Sequence, residues 1–167
     1  KSPKHPGVMD LETPLSAPLR IALFNPEIPQ NTGNAARLAA AFGIPLPLVG
    51  EPAFSLGEKA LRRAGLDYWP AGELHRHPTV WHLLRDSGPG RIVPVTTRGS
   101  TLLRDFGFAP GDVLAFGNES SGLPEDIHRD FGADALRIDM SGPVRSLNLA
   151  TAVGIVAWEA CRQLGAE

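Results

Sequence analysis

The chain has a single cysteine, Cys161, among 167 residues. One thiol cannot close an internal disulfide or build a cysteine-based zinc site. No apolar run approaches the length of a bilayer span, and the N-terminus has no signal-peptide core. The cytoplasm is the expected compartment. Lysine is scarce, with three lysines against thirteen arginines. The net charge of −2 is not the footprint of a general nucleic-acid binder. Three missing motifs narrow the chemistry. There is no G-x-G-x-x-G for a dinucleotide and no Gly-Lys-Ser/Thr of a phosphate loop. A serine nucleophile elbow built on Ser120 also fails, because Asn118 stands where G-x-S-x-G requires its first glycine.

What is present is an ordinary globular composition, 43% hydrophobic and 20% charged, in a length that suits one domain. Residues 1–18 carry four prolines and no periodicity, and read as a disordered extension. Residues 19–167 read as a single domain. From Leu19 short apolar runs alternate with amphipathic ones. "LRIALF" (19–24), "IPLPLVG" (44–50), "RIVPVTT" (91–97), "DVLAFG" (112–117) and "ALRIDM" (135–140) read as strands, the second near a sheet edge because of its prolines. "TGNAARLAAAF" (32–42) reads as a helix ended by Gly43, and "LGEKALRRAG" (56–65) as one closed by Gly65. "TVWHLLRDS" (79–87), a short stretch after Pro124, and a long one from Ser146 to Leu164 complete the helices. Strands alternating with helices predict an α/β fold, a mainly parallel sheet with helices on both faces. The last helix has almost no polar face, so it should bury one side on the sheet and another against a second copy of the chain.

Charge is unevenly spread. Residues 56–104 hold eight basic against four acidic side chains, and residues 105–167 hold four against ten. An arginine-rich middle suits phosphate, which the planar guanidinium pairs bidentately. It equally suits a solvated surface in an arginine-rich proteome. "HRHPTVWH" places His75, His77 and His82 together, but no cysteine or well-placed carboxylate joins them. No metal site is expected there.

In open α/β sheets ligands bind beyond the carboxyl ends of the strands. Three loops there are chemically loaded. "NPEIPQNTGN" (25–34) follows the first strand with two prolines and three asparagines. "FGNESSGLP" (116–124) carries two glycines that permit close backbone approach. "MSGPVRSLNLATA" (140–152) enters the last helix, with Ser146 as its expected N-cap, Asn148 behind it and Arg145 at the mouth.

Together with "LRRAGLDYW" and "VTTRG", these loops resemble, in order and spacing, the motifs of the SPOUT superfamily of RNA methyltransferases. The likeness runs from Leu19 to Gly165 and is greatest to the small tRNA (cytidine/uridine) 2′-O-methyltransferase branch, which acts at the anticodon wobble nucleotide. The resemblance implies a deep trefoil knot in the C-terminal part, a homodimer, tRNA as substrate and S-adenosylmethionine as cofactor, with no metal. Carried over by motif, Val95, Gly117, Ile138 and Ser146 would line the cofactor, with Thr96, Glu119, Met140, Leu147 and Asn148 nearby. Arg37, Asn31 and Ser146 would serve catalysis. A guanidinium does not readily give up a proton, so anchoring a phosphate and stabilising the developing alkoxide fit Arg37 better than a literal base. Asn34, Arg62, Arg63, Arg76, Arg98 and Arg145 would meet RNA. Relatives often carry tyrosine where Trp158 stands, so a role for that hydroxyl cannot operate here. Two other readings remain: 2′-O-methylation of another RNA or tRNA position, and a cofactor-binding RNA module without catalysis.

Overall fold

The computed structural model describes residues 19–54, 58–63 and 75–165. The expected N-terminal extension and the part of "LRRAGLDYW" beyond Arg63 lie outside the described residues. Seven strands form one sheet: β1 (Leu19–Phe24), β2 (Leu48–Val49), β3 (Arg76–His77), β4 (Ile92–Val95), β5 (Thr101–Leu102), β6 (Asp112–Phe116) and β7 (Leu136–Arg137). Their spatial order is β3-β2-β1-β6-β4-β7-β5, and every pairing is parallel. The helices are α1 (Pro29–Phe42), α2 (Glu58–Arg63), α3 (Val80–Ser87), α4 (Glu125–Phe131) and α5 (Leu149–Leu164).

All six residues of β1 are buried, as a central parallel strand covered on both faces requires. Alternation sends Leu19, Ile21 and Leu23 into one core with α1 and α5, and Ala22 and Phe24 into a second core with α3 and α4. Small residues let α1 lie close along α5: Ala35 and Ala39 on one helix, Ala150, Ala157 and Ala160 on the other, all buried. A Cβ on Gly154 would already stand 3.2 Å from Cδ1 of Leu38. The helix ends follow their caps. Thr79 accepts the amide of His82 at the start of α3, and Gly43 and Gly165 close α1 and α5 with positive φ of 67° and 69°.

Several boundaries differ from the sequence reading. Proline at the first helical position is pre-organised, so α1 begins at Pro29 rather than residue 32. Strand β2 lies near the edge as expected, one strand in beside the two-residue β3, but spans only Leu48–Val49 of the expected 44–50. Helix α5 is not capped by Ser146. Oδ1 of Asn148 accepts the amides of Ala150 at 2.9 Å and Thr151 at 3.3 Å, so the cap stands two residues later.

Because all strands run the same way, the segments that follow β1, β4, β6 and β7 emerge at one edge of the sheet. At the opposite edge Arg20, 7% exposed, gathers the carbonyls of Ser87, Gly88, Pro89 and Gly111.

Candidate active site

The segment after β1 uses each of its unusual residues. Asn25 takes a left-handed conformation (φ 49°), and its Oδ1 accepts the amide of Glu51 at 2.9 Å. The carbonyl of Pro26 accepts the amide of Ala53 at 2.9 Å. Pro29 opens α1 behind an N-cap residue, Ile28, whose side chain cannot cap. The missing cap comes from the segment after β6. The Glu119 carboxylate accepts the amides of Glu27 at 3.1 Å and Ile28 at 3.3 Å, and Nδ2 of Asn31 at 3.3 Å. An anion at a helix N-terminus is favoured by the free N–H groups and the macrodipole. In exchange, Oε1 of Glu27 accepts the amide of Ser120 at 2.9 Å and its hydroxyl at 2.6 Å. Those two donors, the hydroxyl first, hold the Glu27 carboxyl below the usual carboxylate range.

The segment after β6 folds tightly on itself. Asn118 and Gly122 form an isolated antiparallel bridge, and Oδ1 of Asn118 accepts both the amide and the hydroxyl of Ser121 at 2.8 Å. A Cβ on Gly117 would collide with the backbone of Gly122 and Leu123, so only glycine fits. After β4, the amide of Thr96 donates to the carbonyl of Leu136 at 3.0 Å, and Gly99 packs directly on the Leu136–Arg137 backbone. The segment after β7 reaches the same place. Nδ2 of Asn148 donates to Oδ1 of Asn31 at 3.0 Å.

These segments enclose a cleft of about 590 Å³. Val95, Thr96, Gly117, Glu119, Ile138, Met140, Ser146, Leu147 and Asn148 all line it, as does Asn31. Ile28, Thr97, Ser121, Arg137 and Leu149 line it too; none is among the expected site residues, although all but Arg137 lie within the quoted motifs. The volume falls in the range of small-molecule sites, and the apolar floor with a few convergent polar groups is typical of them.

The other expected residues stand away from the cleft lining. With α1 starting at Pro29, Asn31 sits in its first turn and Arg37 more than two turns in. Asn34 and Arg37 are both exposed and share a face at i, i+3 spacing. The side chains of Arg37, Arg63 and Arg145 make no hydrogen bond or ion pair with the described residues. Arg76 and Arg98 are already engaged, each 2.6 Å from a surface carboxylate, of Glu51 and Glu125 respectively. Of the histidines, His77 lies 3.1 Å from Asp86, and His82 lies 2.7 Å from the Thr79 hydroxyl.

Residues 18–158 match the SpoU rRNA Methylase family. The chain belongs to this family. Among its SpoU relatives is a tRNA (cytidine(34)-2′-O)-methyltransferase of Acidovorax sp. (strain JS42), 47% identical over 146 residues, which are 86% of this chain and 90% of that protein. A solved structure concerning 2-OH methylation of C/U34 on tRNA is 47% identical, covers 89% of this chain and 97% of its own, and superposes with a TM-score of 0.79. The AdoMet-bound rRNA methyltransferase from Sinorhizobium meliloti is 31% identical with a TM-score of 0.72, but the alignment spans only 56% of that chain against 87% of this one. The SpoU fold is thus shared with the rRNA enzyme, while near-full-length correspondence is with the tRNA one.

Proposed function

We propose that this SpoU-family protein transfers a methyl group to the ribose 2′-hydroxyl of the wobble nucleotide, C or U, in the tRNA anticodon. One observation carries the reading. In a chain 47% identical to a C/U34 2-OH methylation structure, the three motif-bearing segments close around a single cleft and are tied together by Asn31, Glu119 and Asn148.

S-adenosylmethionine fits this cleft by chemistry as well as volume. Val95, Ile138, Met140 and Leu147 offer an apolar bed, and the backbone at Gly117 offers polar groups that no side chain obstructs. When bound, the cofactor supplies a methyl group already activated as a sulfonium. The chain's own residues do the rest. Asn31 and Asn148 fix the start of α1 against the start of α5, so the RNA-facing helix and the cofactor bed keep one geometry. Holding reactants in line is worth on the order of 7–11 kcal/mol of a barrier. Arg37, exposed and unpartnered among the described residues, offers its guanidinium to a phosphate beside the target ribose and to the alkoxide developing there. Ser146, exposed at the cleft rim, offers a hydroxyl to the sugar. Asn34, Arg63 and Arg145, whose side chains are unpaired among the described residues, meet RNA, and Arg62, Arg76 and Arg98 extend the basic face, the last two by exchanging a carboxylate for a phosphate.

We read residues 19–167 as one methyltransferase domain whose C-terminal part is knotted. In support, β6 inserts between β1 and β4, β7 inserts between β4 and β5, and the turn at Gly99 lies on β7. We also read the enzyme as cytoplasmic and as a homodimer; the exposed Ile155 and Trp158 on α5 support the second of these.

The test is incubation with labelled S-adenosylmethionine and tRNA lacking the modification, followed by digestion and mass spectrometry. Label on the wobble ribose is expected, and label elsewhere on RNA overturns the assignment. An Arg37→Ala variant with full turnover and unchanged tRNA binding would overturn the role given to Arg37.

A further inference from the structure

We infer that Glu27 is a positioning residue for this site, acting through Ser120 to clamp the first turn of α1 onto the segment after β6. The inference rests on the methyl-transfer reading above and adds a residue to it.

The clamp is reciprocal. Glu27 donates its amide to the Glu119 carboxylate, and Ser120 donates its amide to the Glu27 carboxylate, so the two segments exchange backbone N–H bonds through each other's side chains. The logic is that of a capping box, in which two orphan donors are satisfied reciprocally. Here the partners are 93 residues apart. The Ser120 hydroxyl adds a third bond to the clamp, the second to the same Glu27 oxygen, at 2.6 Å. All three contacts end on a carboxylate, and charge-assisted bonds are the shorter and stronger class.

Neither Glu27 nor Ser120 lines the cleft. Whatever Glu27 does, it does through what it holds. It holds the segment that presents Asn31 to the cleft and from which α1 carries Asn34 and Arg37. Pro26 and Pro29 bracket Glu27 and Ile28, so few backbone torsions remain to be frozen when the clamp forms. The body of α1 is secured separately, by its buried alanines against α5. Losing the clamp therefore loosens the first turn without unfolding the helix.

The test compares Glu27→Ala, Ser120→Ala, the double variant and Glu27→Gln in the full chain. Two readouts are taken. The first is hydrogen–deuterium exchange over residues 25–31 and 117–122, which needs no activity. The second is kcat on tRNA beside the binding of S-adenosylhomocysteine. Both single alanine variants should exchange faster in these segments. Each should lose kcat on the order of ten- to a hundredfold, the scale of a small misplacement, with S-adenosylhomocysteine affinity unchanged within about twofold. The double variant should be no worse than either single one, since both remove the same clamp. Glu27→Gln should retain most activity, because its amide oxygen still accepts from Ser120.

Wild-type exchange rates in both single variants overturn the clamp, whatever the activity. Faster exchange with wild-type kcat overturns the positioning role. Losses that multiply in the double variant, or cofactor binding that falls with kcat, assign Glu27 to a different role. Absence of transfer by the wild-type protein removes the reading above, while the exchange data still decide the clamp.

Discussion

Asn148 and Asn31 join amide to amide at 3.0 Å across 117 residues of sequence, and Asn148 simultaneously caps α5. One side chain thus sets the start of the last helix and ties it to the first. The two duties separate by substitution. Asn148→Ala removes the cap and should cost about 1 kcal/mol of stability. Asn148→Asp keeps an acceptor for the amides of Ala150 and Thr151 but cannot donate to Asn31. If Asn31 flips to donate to the new carboxylate, it turns its oxygen toward Glu119. Asn148→Asp should therefore melt near wild type and lose methyl transfer, whereas Asn148→Ala should lose both. Thermal melts beside a transfer assay check this.

Much of the architecture was legible because the signals were local. The short apolar runs of β1 and β6, the glycines ending α1 and α5, and Thr79 before α3 each declare themselves within a few residues. The two-residue strands β3 and β5 did not, because two residues carry no periodicity. The start of α1 was missed because its cap is Glu119, far away in sequence. For the same reason nothing marked Glu27. That the loops meet followed from the placing of ligands beyond the carboxyl ends of parallel strands, but which residues line the cleft was legible only through the family likeness of the motifs. Which arginines are free and which are paired depends on neighbours such as Glu51 and Glu125 that no local pattern announces.

Gly117 offers a test of the cleft floor. An alanine Cβ would meet the backbone of Gly122 and Leu123, which cannot rotate away as a side chain could. Gly117→Ala should destabilise by about 1–3 kcal/mol, the usual cost of overpacking. It should also weaken S-adenosylhomocysteine binding at least tenfold by titration calorimetry. Gly142→Ala, where a Cβ meets nothing within 4 Å, is the control and should melt as wild type.

Arg20 tests the scaffold at the other edge of the sheet. Its guanidinium serves four backbone carbonyls and the Ser87 hydroxyl. Burial pulls its pKa down from the ordinary arginine value, the sign expected for a desolvated cation. Arg20→Ala leaves those acceptors short of a donor in a mostly buried place. The expected loss is on the order of 3 kcal/mol, read by denaturant unfolding. Cofactor affinity measured well below the melting temperature should hold, because the site lies at the opposite edge.

Stability should fall in acid. The carboxyls of Glu125, Asp130 and Glu159 are held below their ordinary values, first by hydrogen bonds from Arg98, Arg129 and Arg162 respectively, and that of Glu27 by Ser120. A carboxyl with a depressed pKa in the fold protonates later there than in the unfolded chain. The unfolded chain therefore takes up more protons as pH falls, so stability rises with pH through this range. The contribution is present above the unfolded values, near pH 4, and is lost as pH falls through the folded ones. Melting temperatures should be flat from pH 7 to about 5 and decline below about 4. All these groups are at the surface, so added salt should shrink the effect.

The outer face of α5 carries the last prediction. Trp158 is 56% exposed and Ile155 is 40% exposed, one turn apart on the side of α5 away from the sheet. Large apolar side chains paired this way on a helix are a favourable anchor for a second subunit, and tryptophan is among the residues that dominate interfaces. In the proposed homodimer Trp158→Glu would bury a charge with no partner. Sedimentation velocity should show the wild type as a dimer and Trp158→Glu as a monomer at micromolar concentration. The variant should keep the helical circular dichroism of the wild type, because this side chain lies outside both cores. A wild type that sediments as a monomer, or a Trp158→Glu protein that stays dimeric, would remove α5 from the interface.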